Sequence, residues 1–207
     1  ISKVGYLMGV GDKIPETLKN IGIEVVDIDP SKIILENLSG FKTIIMGIRA
    51  FNVIDELRFK NEILWNYVKN GGTLIIQYNT SRGLKTNNIT PYKLTLSRDR
   101  VTDENSSIVF LNKSHSIFNY PNKITSDDFK NWVQERGLYF PNYWDENFEP
   151  LLEMNDINET KKRGSLLVAP YGKGKIIYTG LSFFRELPAG VPGAYRLFVN
   201  LINYGHE

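Results

Sequence analysis

The first third of the chain alternates short apolar runs with segments that have the composition or spacing of helices. The apolar runs occupy 3–8, 23–28, 42–47 and 73–77. Helices are predicted over 14–20, 31–38 and 55–69. Strands that are apolar throughout are typical of a sheet that is covered on both faces, and strand–helix alternation is typical of parallel strands. The pattern predicts an α/β fold with a mostly parallel sheet between helices.

Local signals define several element boundaries. Asp55 is expected to cap the third predicted helix. The sequence Tyr-Gly-Lys-Gly at 171–174 predicts a hairpin between strands at 165–170 and 175–179. A final helix is predicted over 192–204, with a proline in its first turn.

The middle of the chain has a different character. Residues 80–150 are rich in Asn, Ser, Asp, Pro and aromatic residues, and their periodicity is weak. Short strands are predicted at 92–96 and 108–111. We therefore expect one domain spanning 1–207, with 80–150 as an insertion over the top of the sheet.

Composition excludes several function classes. The 207 residues carry 25 basic and 23 acidic side chains, a formal net charge of +2, which gives no general attraction to nucleic acid or to anionic membranes. No apolar run has membrane-spanning length. The two histidines, His115 and His206, are far apart in sequence, so no metal site is predicted, and no cofactor is expected.

The start of the chain resembles the interior of a longer protein. Ile1 is not a methionine, and a predicted strand begins almost at once. No charged region followed by an apolar stretch marks a signal peptide. We expect a fragment whose compartment stays open, periplasmic or secreted if the parent chain carries a signal peptide.

Several phrases of the sequence carry a family resemblance. They are GIRAFN at 47–52, QYNT at 77–80, SRDRVTDEN at 97–105, WVQERGLYFP at 132–141 and GLSFFRELPAGVPGAYR at 180–196. With the order of elements, the chain resembles a class I glutamine amidotransferase-like domain, three-layered and flavodoxin-like, of the ThuA-like group. The phrases also resemble the C-terminal domain of bacterial PIG-L (LmbE-like) deacetylases.

The PIG-L resemblance implies a partner on the same polypeptide. Enzymes of that family remove N-acetyl groups from amino sugars with a zinc site. Their acidic, His-rich metal-binding motif is absent from this chain, so the resemblance implies an upstream catalytic domain and a carbohydrate ligand.

The amidotransferase resemblance does not extend to the catalytic residues. A cysteine nucleophile belongs at the turn after the fourth strand, but the chain has no cysteine and that turn contains Tyr78. Phe184 stands where the family has its histidine base, and Glu186 is the counterpart of the family's glutamate. Cysteine-dependent glutaminase chemistry is therefore excluded.

The carboxyl ends of the predicted strands supply the candidate site. Ligands of parallel α/β sheets bind at this edge. Ligand-binding candidates are polar residues at strand ends or in the charged loops that follow: Arg49, Asn52, Gln77, Asn79, Arg98 and Arg185. Catalytic candidates are Asp12, Tyr78 and Glu186. The alternative is that these side chains satisfy loop backbone groups.

The charged stretch 97–105 allows three interpretations. Its alternating charges favour an ion-pair network that pins the insertion to the core, and Arg98 is alternatively part of a pocket wall. The third is calcium bound by Asp99, Asp103 and Glu104, at a spacing that is not that of an EF-hand.

Aromatic residues of the insertion allow two interpretations. Trp132, Tyr139, Phe140, Tyr143 and Trp144 suit a sugar-binding surface, because rings stack on the apolar faces of sugars. They equally suit a hydrophobic cluster beneath a long loop or a domain contact.

Two functional hypotheses follow. The first is a non-catalytic accessory or glycan-binding module of a PIG-L-like deacetylase. The second is a stand-alone hydrolase or lyase that acts on a carbohydrate with Asp12, Tyr78 and Glu186 as acid–base groups.

Overall fold

The computed structural model describes residues 1–207 and has one seven-stranded sheet and two small strand pairs. The strands are β1 (Lys3–Leu7), β2 (Glu24–Asp27), β3 (Thr43–Met46), β4 (Thr73–Gln77), β5 (Leu94–Val101), β6 (Val109–Phe110), β7 (Gly137–Trp144), β8 (Glu149–Pro150), β9 (Leu152–Glu153), β10 (Leu166–Tyr171) and β11 (Gly174–Thr179). The α-helices are α1 (Ile14–Asn20), α2 (Leu35–Leu38), α3 (Ala50–Val53), α4 (Leu57–Lys69), α5 (Phe183–Glu186) and α6 (Pro192–Asn203). Three 3₁₀ turns lie at Pro30–Lys32, Ser116–Phe118 and Ser126–Phe129.

The large sheet is mostly parallel, as predicted. Its strand order is β2-β1-β3-β4-β11-β10-β8. The first five strands in this order are parallel, whereas β10 runs antiparallel to both of its neighbours. The sheet lies between helices on both faces, which confirms the three-layer, flavodoxin-like α/β class.

The two faces of the sheet belong to different apolar clusters. Ile45 and Ile75 pack with residues of α1 and α6, whereas their chain neighbours Ile44 and Leu74 pack with residues of α4. Successive side chains of a strand point to opposite faces, so a strand covered on both sides must be apolar at every position. This geometry explains the continuous apolar runs in the sequence.

Two predicted helices differ from the observed elements. The segment 31–38 divides into a 3₁₀ turn and the short helix α2. Asp55 does not cap α4, whose N-cap residue is Glu56. Instead its carboxylate pairs with Lys85 Nζ at 2.8 Å and with Arg58 at 3.7 Å. The Asp55 carboxylate therefore forms an ion pair with a residue distant in sequence and does not form the bond to the start of α4 that the local pattern predicted.

The segment 80–150 forms small antiparallel pairs and contributes to the core. Strand β5 pairs with β7, and β6 pairs with β9. The predicted strand at 92–96 is longer, ending at Val101, and the one at 108–111 is only two residues. Phe118, Phe129 and Phe140 are buried in the cluster that contains α1 and α6.

The end of the chain follows the prediction closely. Strands β10 and β11 form the expected hairpin, with Gly172 at φ 57° in its turn. Helix α6 ends at Asn203, one residue before the predicted end. None of the helices combines the length and the apolar character needed to cross a membrane.

Candidate functional site

Three strand ends meet at the carboxyl edge of the sheet. A Cβ on Gly9 would lie 2.0 Å from the Ile48 carbonyl oxygen, so the loops after β1 and β3 touch through their backbones. Arg49 then donates its backbone N–H to the carbonyl of Tyr78 at 2.8 Å, which joins the loops after β3 and β4. Only glycine at position 9 allows the first of these contacts.

Asp12 belongs to a buried polar chain beneath this edge. The Tyr6 hydroxyl lies 2.7 Å from the Asp12 carboxylate and donates to it, and the Ile14 N–H donates at 3.0 Å. Gln77 Nε2 donates to the Tyr6 oxygen at 3.2 Å. Burial raises the pKa of Asp12, and its bonds to Tyr6 and Ile14 oppose that shift. Asp12 therefore links β1 to its following helix and, through Tyr6, to β4.

Asn79 and Asn52 satisfy loop backbone groups. Asn79 is fully buried; its Oδ1 accepts from Phe51 N–H at 2.9 Å and its Nδ2 donates to the Gln77 carbonyl at 3.1 Å. Asn52 accepts from Thr80 N–H and donates to the carbonyls of Thr80 and Arg82. Both amides use their donors and acceptors within the protein, which fits the alternative interpretation of the strand-end polar residues.

Tyr78 lies in an aromatic cluster at the same edge. Its ring is stacked nearly parallel to that of Tyr139, with centroids 6.1 Å apart and planes at 9°, and it packs 5.3 Å from Phe184. Ile48 and Leu138 lie in the same cluster. Tyr78 is mostly buried, whereas Tyr139 and Phe184 are half-buried.

Two guanidinium groups flank the aromatic cluster. Arg185 stacks over the Phe184 ring at 4.7 Å. Arg49 is half-buried, and its Nε is buried with no hydrogen-bond partner. Burial raises the pKa of the Tyr78 phenol, while the charges of Arg49 and Arg185 lower it. We call Arg49, Tyr78, Tyr139, Phe184 and Arg185 the strand-end surface.

Backbone strain is concentrated around this surface. Arg49, Gln134 and Tyr139 have φ values of 57°, 71° and 50°, in the left-handed region that non-glycine residues seldom adopt. Such conformations persist where surrounding contacts hold them, and they cluster at functional sites. The unpartnered Arg49 Nε is a second unusual feature of the same place.

Glu135 connects the insertion to the end of the chain. Its carboxylate, only 3% exposed, accepts from Arg185 Nε at 2.7 Å and from Arg100 Nη2 at 2.9 Å. Arg185 Nη1 also donates to Gln134 Oε1 at 3.1 Å. Two charged donors compensate the buried carboxylate, so this ion-pair network fixes Arg185 over the cluster. Of the five charged residues in 97–105, Arg100 alone forms an ion pair, so the predicted network of alternating charges is reduced to this one member.

Glu186 faces away from Tyr78. It is fully buried and accepts from Val133 N–H at 2.8 Å and from Ser182 Oγ at 3.2 Å. Burial raises the pKa of Glu186 to about 7. The three catalytic candidates are thus divided: Asp12 bonds to Tyr6, Glu186 bonds to Ser182 and Val133, and Tyr78 packs among rings.

The remaining predicted residues do not converge on the strand-end surface. Arg98 is exposed on β5, and its side chain forms no ion pair or hydrogen bond. No group of three acidic, His or Cys side chains is placed to hold a metal ion. Trp132 and Phe140 are buried in the core, whereas Tyr143 is 52% exposed. Of the five predicted aromatics, Tyr139 is the one in the aromatic cluster.

Sequence reasoning missed Tyr6 as the partner of Asp12. The available signal was a phenol in an otherwise aliphatic strand, six positions before a carboxylate in the following loop. Four cavities of about 220 to 550 Å³ lie elsewhere, and none of them is lined by a residue of the strand-end surface.

Comparison with known proteins identifies the fold. No protein-family model matches the chain, and no curated protein matches it in sequence. A ThuA-like protein of Bacteroides uniformis is 15% identical with a TM-score of 0.61, over 98% of this chain and 90% of that one. A Thermoplasma acidophilum protein described as part of a GMP synthase is 12% identical with a TM-score of 0.60, over 99% and 94%. The chain therefore has a glutamine amidotransferase-like fold.

The same fold also occurs within a larger chain. The cold-adapted β-galactosidase of Rahnella sp. R3 is 14% identical with a TM-score of 0.55. The match covers 97% of this chain but only 31% of the β-galactosidase. At these identities the likeness establishes the fold alone, and the PIG-L resemblance stays a prediction from the sequence phrases.

Proposed function

We propose that this chain is a non-catalytic accessory module that binds carbohydrate at the strand-end surface of a degenerate amidotransferase-like site. The observation that carries the proposal is the packing of Tyr78 against Tyr139 and Phe184, in the turn where the family resemblance places the nucleophile. The Tyr78 ring supplies apolar contact surface. A nucleophile needs an adjacent general base, and the two rings that pack against Tyr78 cannot act as one.

The chemistry of the surface suits a sugar. Tyr139 and Phe184 offer half-exposed rings for the apolar face of a pyranose, and Arg49 and Arg185 offer donors for hydroxyl or acetamido oxygens. The Glu135 ion pair and the strained Tyr139 backbone hold these groups in place before a ligand arrives. Such preorganisation reduces the entropy cost of binding.

The larger assembly that we propose is a PIG-L-like N-acetyl sugar deacetylase with its catalytic domain upstream. Support comes from the phrases of the sequence, of which GLSFFRELPAGVPGAYR at 180–196 contains Phe184 and Arg185. The Rahnella β-galactosidase supplies an analogy, because there a domain of this fold belongs to a larger enzyme that acts on sugar. The analogy concerns architecture and leaves the substrate to experiment.

The test is a titration of the chain with N-acetylglucosamine oligomers. Calorimetry and amide chemical shifts measure the binding. Tyr139→Ala is expected to weaken binding about fivefold, since one ring stacked on one sugar contributes on the order of 1 kcal/mol. Tyr143→Ala is the matched control, because Tyr143 lies on the same strand and is exposed away from the cluster. Equal losses in the two variants, or no binding, would contradict the proposal.

One observation favours a second candidate, a carboxylate-dependent hydrolase or lyase that acts on a carbohydrate. The pKa of Glu186, raised to about 7, lies in the range of a general acid at neutral pH. Against this role, the carboxyl is enclosed and bonded to Ser182 and Val133. Any glycan turnover that is found should vanish in Glu186→Gln; retention of that turnover excludes Glu186 as the acid.

A further inference from the structure

A cavity of about 530 Å³ lies between β6, the 3₁₀ turn Ser116–Phe118 and the loop that leads to Ser126. It is separate from the strand-end surface and shares no residue with it. Half of its lining residues are apolar and none is acidic. We call it the lysine cavity, because Lys113 and Lys123 both line it.

The apolar floor of the lysine cavity is preformed. Phe118 and Ile124 are buried beneath it, and Phe110 packs edge-on against Phe118 with centroids 4.8 Å apart. Val109, on the same short strand as Phe110, is 47% exposed. A concave apolar surface that remains in contact with water gains free energy when a ligand covers it.

The charges of the lysine cavity are unbalanced. Neither Lys113 nor Lys123 forms an ion pair anywhere in the protein. The carboxylates of the neighbouring 3₁₀ turn are engaged elsewhere, Asp127 with Lys130 at 2.6 Å and Asp128 with Arg196 at 2.8 Å. Two ammonium groups therefore flank an apolar floor with no acidic partner.

A second cavity adjoins the lysine cavity. It measures about 310 Å³ and shares Ile108 and Ser126 with the lysine cavity. Its inner wall includes Arg136, a guanidinium that is 4% exposed and donates to the carbonyls of Ser106 and Phe129, with no carboxylate within ion-pair distance. Nearby carboxylates offset part of the Arg136 charge, so the attraction of an anion to the lysine cavity rests on its two lysines.

We propose that the lysine cavity binds a small organic monoanion with an apolar body, of the aryl or alkyl carboxylate or sulfonate class. The apolar body would cover Phe110, Phe118 and Ile124, and the acid group would bind Lys113 and Lys123. A volume of 530 Å³ lies within the range of small-molecule sites. This site is independent of the carbohydrate proposal.

The test uses a matched pair of fluorescent probes with the purified chain. The anion is 8-anilino-1-naphthalenesulfonate, and N-phenyl-1-naphthylamine is the same body without the sulfonate. We expect the protein to bind the sulfonate with saturation at one site, to bind the amine at least tenfold more weakly, and to lose sulfonate affinity as salt screens the lysines.

Variants assign the binding to the cavity. Lys113→Gln/Lys123→Gln is expected to lower sulfonate affinity at least tenfold, and Val109→Asp is expected to abolish it. Lys13→Gln/Lys19→Gln removes the same charge from exposed lysines without ion pairs elsewhere on the surface and should change affinity less than twofold. Thermal melting of every variant separates lost binding from lost folding.

Several outcomes would overturn the proposal. They are equal affinity for the two probes, equal losses in the two lysine pairs, and the absence of saturable sulfonate binding. If inorganic phosphate, which has no apolar body, displaces the sulfonate probe, the cavity is a phosphate site instead. Binding confined to phosphatidylglycerol vesicles would indicate a membrane surface and would likewise reject a small-molecule cavity.

Discussion

The strand-end surface and the lysine cavity use their polar groups in opposite ways. At the strand ends, Asp12, Asn52 and Asn79 bond to backbone or to Tyr6, and Arg185 is held by Glu135. In the lysine cavity, Lys113 and Lys123 have no acidic partner. Apart from Arg49, whose Nε has no partner, polar residues at the first region hold loops together, whereas both charges at the second are free for a ligand. A polar residue at the carboxyl edge of a parallel sheet is therefore weak evidence for ligand contact.

The largest effect among these predictions is that of a single methyl group added at the strand ends. In Gly9→Ala, the new Cβ meets the Ile48 carbonyl oxygen at 2.0 Å, so backbone must shift, and we expect a loss of about 3 kcal/mol in the free energy of unfolding. Gly40→Ala is the control, because no atom lies within 4 Å of its Cβ. Denaturant unfolding measures both. A Gly9→Ala variant as stable as Gly40→Ala would show that the loops are not closely packed.

The next effect is pH-dependent. Burial raises the pKa of Glu186 to about 7, above its unfolded value of 4.5, so the folded state holds an extra proton between these values. Stability from this group is fully present below pH 4.5 and is lost as pH rises through 7, by about 3 kcal/mol. The variant Glu186→Gln should remove that loss.

The measurement is the difference in unfolding free energy between Glu186→Gln and the wild type at pH 4.5 and pH 8. The variant should gain stability relative to the wild type as pH rises, because an amide has no charge to bury. A difference that is constant with pH would mean that Glu186 titrates normally.

A smaller effect is expected for Tyr6→Phe. The variant removes the hydroxyl that donates to Asp12 at 2.7 Å and accepts from Gln77 at 3.2 Å, leaving two buried polar groups without this partner. Both groups keep other partners, Asp12 the Ile14 N–H and Gln77 the Met46 carbonyl, so we expect a loss of about 1 kcal/mol. Chemical denaturation measures the loss, and Tyr120→Phe, at an exposed phenol, is the control. If Tyr6→Phe and Tyr120→Phe lower the free energy of unfolding equally, the bonds of the Tyr6 hydroxyl do not stabilise the fold.

The smallest effect should come from the cavity itself. Lys113→Gln/Lys123→Gln is expected to change the free energy of unfolding by no more than about 0.5 kcal/mol, because exposed, unpaired lysines contribute little to folding. Thermal and denaturant unfolding measure this directly. A large loss of unfolding free energy would mean that these lysines stabilise the fold. The lysine cavity would then use its polar groups as the strand ends do.

The sequence by itself determined the fold class and the absence of a cysteine nucleophile. Strands covered on both faces must be apolar at every position, so 42–47 and 73–77 were recognisable without tertiary information. The hairpin at 171–174 was equally local, because glycine meets a conformational need of the turn itself. The absence of cysteine needed no structure at all.

Only the tertiary structure decided which polar groups are free. Glu135 meets Arg185 across 50 residues, and Asp55, which was expected to cap a helix, meets Lys85 across 30. Lys113 and Lys123 became candidates only because the packing of Phe110 and Phe118 leaves a cavity between them. Periodicity reports which face of an element is buried, but the pairing of charges depends on distances between elements, and those are set by the packing of the whole chain.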